Sequence, residues 1–451
     1  MVKKVSLFAA ILGIASLITI CGIGFTHSAF AEDTLVRLAH QAVSEDATIA
    51  AQAIAKLRAH GPAGLQALFD AHADELKQQG FLNNTLPDKQ LTLLTPTIAA
   101  KQLDNPYWQR LSAAIDAVGQ QRHCYASRLY WYTDLEQAQA AARTSGKPIL
   151  SLRLLGKLDE DLTCANSRFF RIALYANPEV AQMLRERFIL HWKSVRPVPK
   201  ITIDFGDGRK IERTITGNSI HYILDANGQP IDALPGLYGP QTFLQGLARA
   251  EKAAKEYAQR TGDAQAQFLQ KYHQGRISAI ETEWAKDLAK LGVKANGQDH
   301  TKLAATTTDD IWSQIAMLHN NVRLPDTSKA LIYASLPPDA LDASRRAVTK
   351  ARVENPILRL IRNFERSIAE DTVRNEYLLH TQIHVWFANP ASYSEFTKNI
   401  NILNEAVYAE LFLTPSSDPW LGLNLPDGYT AIENNGIVKQ TVISDSLPAN
   451  K

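Results

Sequence analysis

The stretch Gly146-Lys147-Pro148-Ile149-Leu150-Ser151-Leu152-Arg153-Leu154-Leu155 decides how this chain is read. Gly146-Lys147-Pro148 stops a helix, because glycine closes helix ends and proline cannot continue one. Ile149 to Leu155 is then a nearly unbroken apolar run, the pattern of a strand buried on both faces. Working backward, Asp134 can cap an alanine-rich helix through Ala142, and Arg128 to Tyr132 reads as a short aromatic strand. Working forward, a helix follows Cys164, Asn177-Pro178 opens another, and Phe188 to Trp192 is a strand. Ile201 to Phe205 and Ile211 to Ile215 form a hairpin around Asp207-Gly208. Ile220 to Leu224 is a further strand turning at Asn227-Gly228, and a last helix covers about Pro240 to Arg260. Strands alternating with helices in this order predict a mixed sheet covered by helices.

Outside that segment the pattern is helical. Ile49, Ala53, Ile54 and Leu57 make one stripe, and Pro62 opens a helix with Leu65, Leu68 and Phe69 on its face. Asn83 to Pro96 reads as a loop, and Pro106 opens a helix to Val118. Beyond Asp263, Thr308 with Asp309 and Asp310 starts a helix from Ile311 to His319. A long amphipathic stretch covers Ile357 to Phe387 with a break expected near Asp371, and a final helix is expected from Phe396 to Leu413. The expected organisation is a leader over 1–31, a helical region over 32–122, an α/β domain over 123–262, a helical domain over 263–436 and a flexible tail over 437–451.

The leader carries Lys3 and Lys4, an apolar run from Val5 to Phe25, and Ala29-Phe30-Ala31 as a cleavage step. That is the layout of a secretory signal peptide, and it places the mature chain in the periplasm or outside the cell. The run is also long enough to span a bilayer if it is left uncleaved, the one condition under which a membrane is involved. Lys+Arg number 48 against Asp+Glu 46, which argues against a general nucleic-acid binder. Of three cysteines, Cys124 and Cys164 survive cleavage, too few for a disulfide scaffold.

Several motifs in fixed order carry a resemblance. They are Trp131 with Asp134-Leu135-Glu136-Gln137-Ala138, then Gly146-Lys147-Pro148-Ile149-Leu150, Cys164, Asn177-Pro178-Glu179-Val180, and Ile223-Leu224-Asp225-Ala226-Asn227-Gly228. The segment Arg128 to Ala250 resembles the thioredoxin-like superfamily in its exported form. In that family the first active-site cysteine lies thirteen residues before the Pro-Glu-Val step's opening residue, as Cys164 does before Asn177. The resemblance implies an α/β thioredoxin-like central domain, a mixed sheet with helices, between all-α N- and C-terminal regions. It also marks departures. Cys164-Ala165-Asn166-Ser167 stands where C-x-x-C would, so Ser167 replaces the resolving cysteine. Ser219 stands where the family carries its cis-proline, which makes Ser219 and Ile220 the implied substrate-binding positions. Gly156 to Thr163 adds about six residues before Cys164.

What the resemblance implies for chemistry is a single-thiol site. A helix start favours the Cys164 thiolate, Arg168 and Arg171 would add to this, and Asp159, Glu160 and Asp161 would oppose it. Ser167 could donate a hydrogen bond to the sulfur. A dithiol cycle needs a second thiol, so an external thiol or a protein partner must release a mixed disulfide. The other reading is a small buried cysteine in a domain kept for binding a protein partner, with the sheet as scaffold. A Cys124–Cys164 disulfide is opposed by sheet geometry, since Cys124 precedes the first strand and so lies at the far end from Cys164. Glu376, His380 and His384, spaced four apart, share a helix face as a weak metal-ligand pattern that Glu405 or Asp418 could complete. No cofactor is expected.

Overall fold

The computed structural model describes residues 33–78, 105–319, 322–335, 356–397, 399–423 and 431–437. The expected leader over 1–31, the expected loop Asn83 to Pro96 and nearly all of the expected tail over 437–451 lie outside the described residues. The chain divides into two compact units, Met1–Ile400 and Asn401–Lys451.

In the first unit, Asp46 caps α1 (Ala47–Ala59) by accepting from the Thr48 and Ile49 amides. Pro62 opens α2 (Pro62–Ala71), and α3 (Pro106–Gly119) starts at the Asn105 cap. Leu57, Leu65, Leu68, Phe69, Leu111 and Ile115 form their shared core. Ile49 lies outside that core, 43 % exposed at the helix start. Gly64 is needed here, because a Cβ would lie 1.9 Å from the Leu57 carbonyl oxygen.

The expected strand Arg128 to Tyr132 shrinks to a single rung, a parallel bridge from Tyr132 to His191. Its other groups are spent on the helices. The Trp131 amide donates to the Gly119 carbonyl and its carbonyl accepts from Arg58, while Arg128 takes a left-handed conformation at φ 58°. α4 (Leu135–Ser145) runs from the Asp134 cap to left-handed Gly146.

β1 (Ile149–Leu155) is buried at all seven positions. α5 (Ala165–Phe169) runs on into a π turn at Phe170–Leu174, and α6 (Pro178–Arg187) is capped by Asn177. β2 (Ile189–Arg196) pairs parallel with β1, Ile149 opposite Ile189. β3 (Lys200–Asp204) and β4 (Lys210–Thr214) form a separate two-stranded hairpin. β5 (Ser219–Leu224) pairs antiparallel with β1 and with β6 (Pro230–Pro235), giving the order β2-β1-β5-β6. The sequence reading passed over β6. Proline at both ends and aspartate inside argue against a central strand, but an edge strand tolerates them.

α7 (Pro240–Ala258) leads from the sheet to α8 (Asp263–Lys290), followed by α9 (Asp309–Leu318), α10 (Pro356–Arg374) and α11 (Thr381–Ala388). Trp284 of α8 stacks on Tyr377 at 5.5 Å and meets Trp312 of α9 at 5.2 Å. The break expected near Asp371 does not occur. The helix continues through Arg374 and widens into a π turn at Asn375–His380, where the Asn375 side chain donates to the Leu237 carbonyl. The helix expected from Phe396 to Leu413 starts later, at Ile400–Ala406, and runs on into a π turn at Val407–Leu411; Phe396 ends a separate helix, Pro390–Phe396, behind an Asn389 cap.

Candidate functional site

Two enclosed sites answer to the candidate residues. In the first, Cys164 occupies the cap position of α5, and its sulfur accepts the Ser167 amide at 3.4 Å. Its own amide donates to the Leu155 carbonyl, so the thiol is tied to the end of β1. The return leg of the hairpin closes over this helix start: Thr214 donates its hydroxyl to the Thr163 carbonyl at 2.8 Å, and Ala165 donates to the Thr216 carbonyl at 3.0 Å. Cys164 is consequently 0 % exposed.

Burial pushes the Cys164 thiol up, and the Ser167 amide only partly offsets it. The Ser167 amide, not its hydroxyl, meets the sulfur, and the hydroxyl accepts from the Thr163 hydroxyl at 3.2 Å. Arg171 is buried and turned to Asp161. Ser219 and Ile220 are both fully buried. Ser219 accepts from the Asn166 side chain, and Ile220 sits between Arg153 of β1 and Pro235 of β6. Cys124 and Cys164 are both free thiols. Cys124 is packed among the N-terminal helices, its amide on Asp116 and its thiol donating to the Leu129 carbonyl at 3.3 Å. A Cβ on Gly119 would lie 2.3 Å from the Cys124 sulfur, so that contact is fixed by glycine.

The second site gathers Glu376, His380 and His384, which do share a face, around a residue that sequence reading did not select. Asp232, in the middle of β6, accepts from Tyr272 at 2.6 Å and from the Ala233 amide at 2.8 Å, and lies 3.2 Å from His380 Nε2. His380 Nδ1 meets Glu376 at 2.8 Å, and Glu376 in turn receives Arg249 and Arg276, each at 3.3 Å. His384 Nδ1 faces His273 Nδ1 of α8 at 2.8 Å. Burial alone would lower the His380 imidazole, but the carboxylates of Glu376 and Asp232 outweigh it and hold it at about 9. Burial pushes His384 well below its ordinary value and brings His273 to about 4. Burial would raise Asp232, yet the surrounding imidazoles hold it far below the usual carboxylate range. Beside this cluster lies a cavity of about 410 Å³ lined by Arg249, Arg276, Glu283, His319, Glu376 and Tyr377.

Glu405 and Asp418 belong to the second unit, where Glu405 accepts from Ser416, and Asp418 from the Trp420 and Gly422 amides. The carboxylate is Asp232, and one signal marked it: an aspartate inside Pro230-Ile231-Asp232-Ala233-Leu234-Pro235 is a charge in an apolar run and must find partners. His273 gave no comparable signal.

The geometry defines a mixed α/β protein, a four-stranded mixed sheet flanked by helices. No protein-family model, no curated protein and no solved structure matches the chain.

Proposed function

We propose that this chain is an exported, non-catalytic thioredoxin-like module that binds a protein partner, with the sheet as scaffold. The observation that carries this reading is the enclosure of the Cys164 sulfur, which is 0 % exposed. A nucleophilic thiol must be reached and must ionise, and burial opposes both. The thioredoxin-like assignment is supported by the sheet order, with β1 central, β2 parallel to it, β5 and β6 antiparallel, and Cys164 at a helix start after β1. Export rests on the leader, and places the work in the periplasm or outside the cell.

The surface for the partner is the β3–β4 hairpin. Ile201, Ile203 and Phe205 alternate along one face at 44, 46 and 51 % exposure, with Ile211 directly opposite Ile203. Among the described residues each strand of this two-stranded sheet has one pairing neighbour, which leaves an outer edge able to accept an extended apolar segment of another protein.

Two measurements test this. A thiol reagent added to the native chain should leave Cys164 unlabelled until denaturant is added, and Cys164→Ser should match the wild type in reduction of a model disulfide. Fast native labelling of Cys164, or loss of disulfide reduction in Cys164→Ser, overturns the non-catalytic reading. A photo-crosslinking residue at 203 should give one discrete protein adduct in producing cells, and the same residue at 202, on the opposite face, should not. Equal adducts from both positions, or adducts only with phospholipid, overturn the hairpin as a protein-binding face.

A further inference from the structure

We infer that Asp232, His273 and His384 form a site for one divalent transition-metal ion, with zinc the best fit to the donors. Each residue offers one ligand atom, and the three atoms lie within 4.8 Å of one another. Asp232 is 2 % exposed and both histidines 0 %. Two imidazole nitrogens and one carboxylate oxygen are the donor set of a borderline cation, and a poor set for calcium or magnesium, which take oxygens.

The contrast with His380 makes the argument. His380 is a satisfied core histidine, one nitrogen on Glu376 and the other on Asp232. His273 and His384 meet each other through Nδ1 at 2.8 Å, with the Ile231 backbone as a further, weaker partner of His273. Their Nε2 atoms are buried without one. Two facing ring nitrogens at this distance can share only one proton between them, a poor arrangement for buried polar groups. A cation at the same point bonds both rings and the carboxylate at once.

The spacing suits this. Two ligand atoms on a tetrahedral zinc lie about 3.4 Å apart at bonds of about 2.1 Å. The two Nδ1 atoms are 2.8 Å apart and His384 Nδ1 is 3.9 Å from Asp232 Oδ1, distances that bracket that value. The carboxylate has the outer partners of a metal ligand. Tyr272 and the Ala233 amide orient the carboxylate, and His380, held by Glu376, bonds it from behind. The ligands come from edge strand β6, from α8 and from α11, so the ion ties the sheet to the C-terminal helices. Because the site is closed, the ion enters as the chain folds.

The test uses the full chain made in zinc-supplemented medium and purified without chelator or metal-affinity steps. Elemental analysis should find one zinc per chain. His273→Ala and His384→Ala should lose it, while His300→Ala, at a partly exposed position away from the cluster, should keep it. Glu376→Gln should weaken zinc binding by about 10–100-fold, the usual effect of removing an orienting partner. Because a ligand variant can fail to fold, the wild-type chain is also unfolded in chelator and refolded with Co2+. Visible absorption of tetrahedral Co2+ at one equivalent supports the site. A folded wild-type chain that holds no zinc and takes up no Co2+ shows that a shared proton alone occupies the point, and overturns it. Retention of a full equivalent by both histidine variants overturns it equally.

Discussion

Cys164 and Asp232 are equally enclosed, yet their surroundings are built on opposite terms. Around Cys164 the partners are neutral and mostly near in sequence: the Ser167 amide on the sulfur, the Thr163 and Ser167 hydroxyls on each other, and the hairpin's return leg above. Around Asp232 are imidazoles, a tyrosine and a second carboxylate, drawn from two distant parts of the chain. A thiol enters a core cheaply as a small apolar group, whereas a carboxylate enters only with countercharge and hydrogen bonds. Enclosure keeps a thiol from being reached and ionised, but it does not by itself say what a buried carboxylate does. The number and charge of the groups gathered around the enclosed atom say more.

This contrast can be broken by experiment. The largest effect is expected from Glu376→Ala, which leaves Arg249, Arg276 and His380 without their shared carboxylate. Breaking one side of a buried ionic network should cost roughly 3–5 kcal/mol in denaturant unfolding. A loss under about 1 kcal/mol would mean that the network carries no such weight.

Acid should act next. His191 and His221 are held down to about 3, in both cases mainly by burial and at His191 also by Arg153 and Lys193. Their unfolded value is about 6.5, so the unfolded state binds protons first. The stability they contribute is present above about pH 6.5 and is lost as pH falls toward 3. Each should remove about 2 kcal/mol between pH 6.5 and 5. His221→Gln, which keeps a partner for Tyr175, should flatten this pH dependence even where it lowers stability overall. An unchanged slope would place the acid-sensitive groups elsewhere.

Cys164→Ala should cost only about 1 kcal/mol, the value of one weak hydrogen bond and a small void. A cost approaching that of Glu376→Ala would erase the distinction between the two sites. The smallest effect is alkaline. Asp287 holds His319 above its ordinary value through their side-chain hydrogen bond, against an opposing effect of burial. The contribution is complete below about pH 6.5 and fades as pH rises through the raised folded value. His319 is half-buried, so His319→Asn should change stability at pH 6 by no more than about 1 kcal/mol, and by less at pH 9.

Much of the first site was legible because its determinants are short-range. Asp134, Asn177 and the pair Gly146-Pro148 set helix ends by local hydrogen bonding, and Ile149 to Leu155 declared a buried strand by its unbroken apolar run. The same local rules put Cys164 at a helix start. They could not show that Thr214 and Thr216, some fifty residues on, would close over it, as the Thr214–Thr163 bond does across a separation of 51. Tyr132 illustrates the reverse failure. Its neighbours read as a strand, but Trp131 and Arg128 were claimed by Gly119 and the N-terminal helices.

By itself the sequence determined the elements, their caps, the alternation that makes a mixed sheet, and the shared face of Glu376, His380 and His384. All of these follow from steric and hydrogen-bonding preferences acting over a few residues. Tertiary structure alone decided that the Cys164 sulfur is covered and that Asp232 and His273 meet His384. Those outcomes depend on which distant surfaces pack together, and packing is set by the summed burial of side chains rather than by any local pattern.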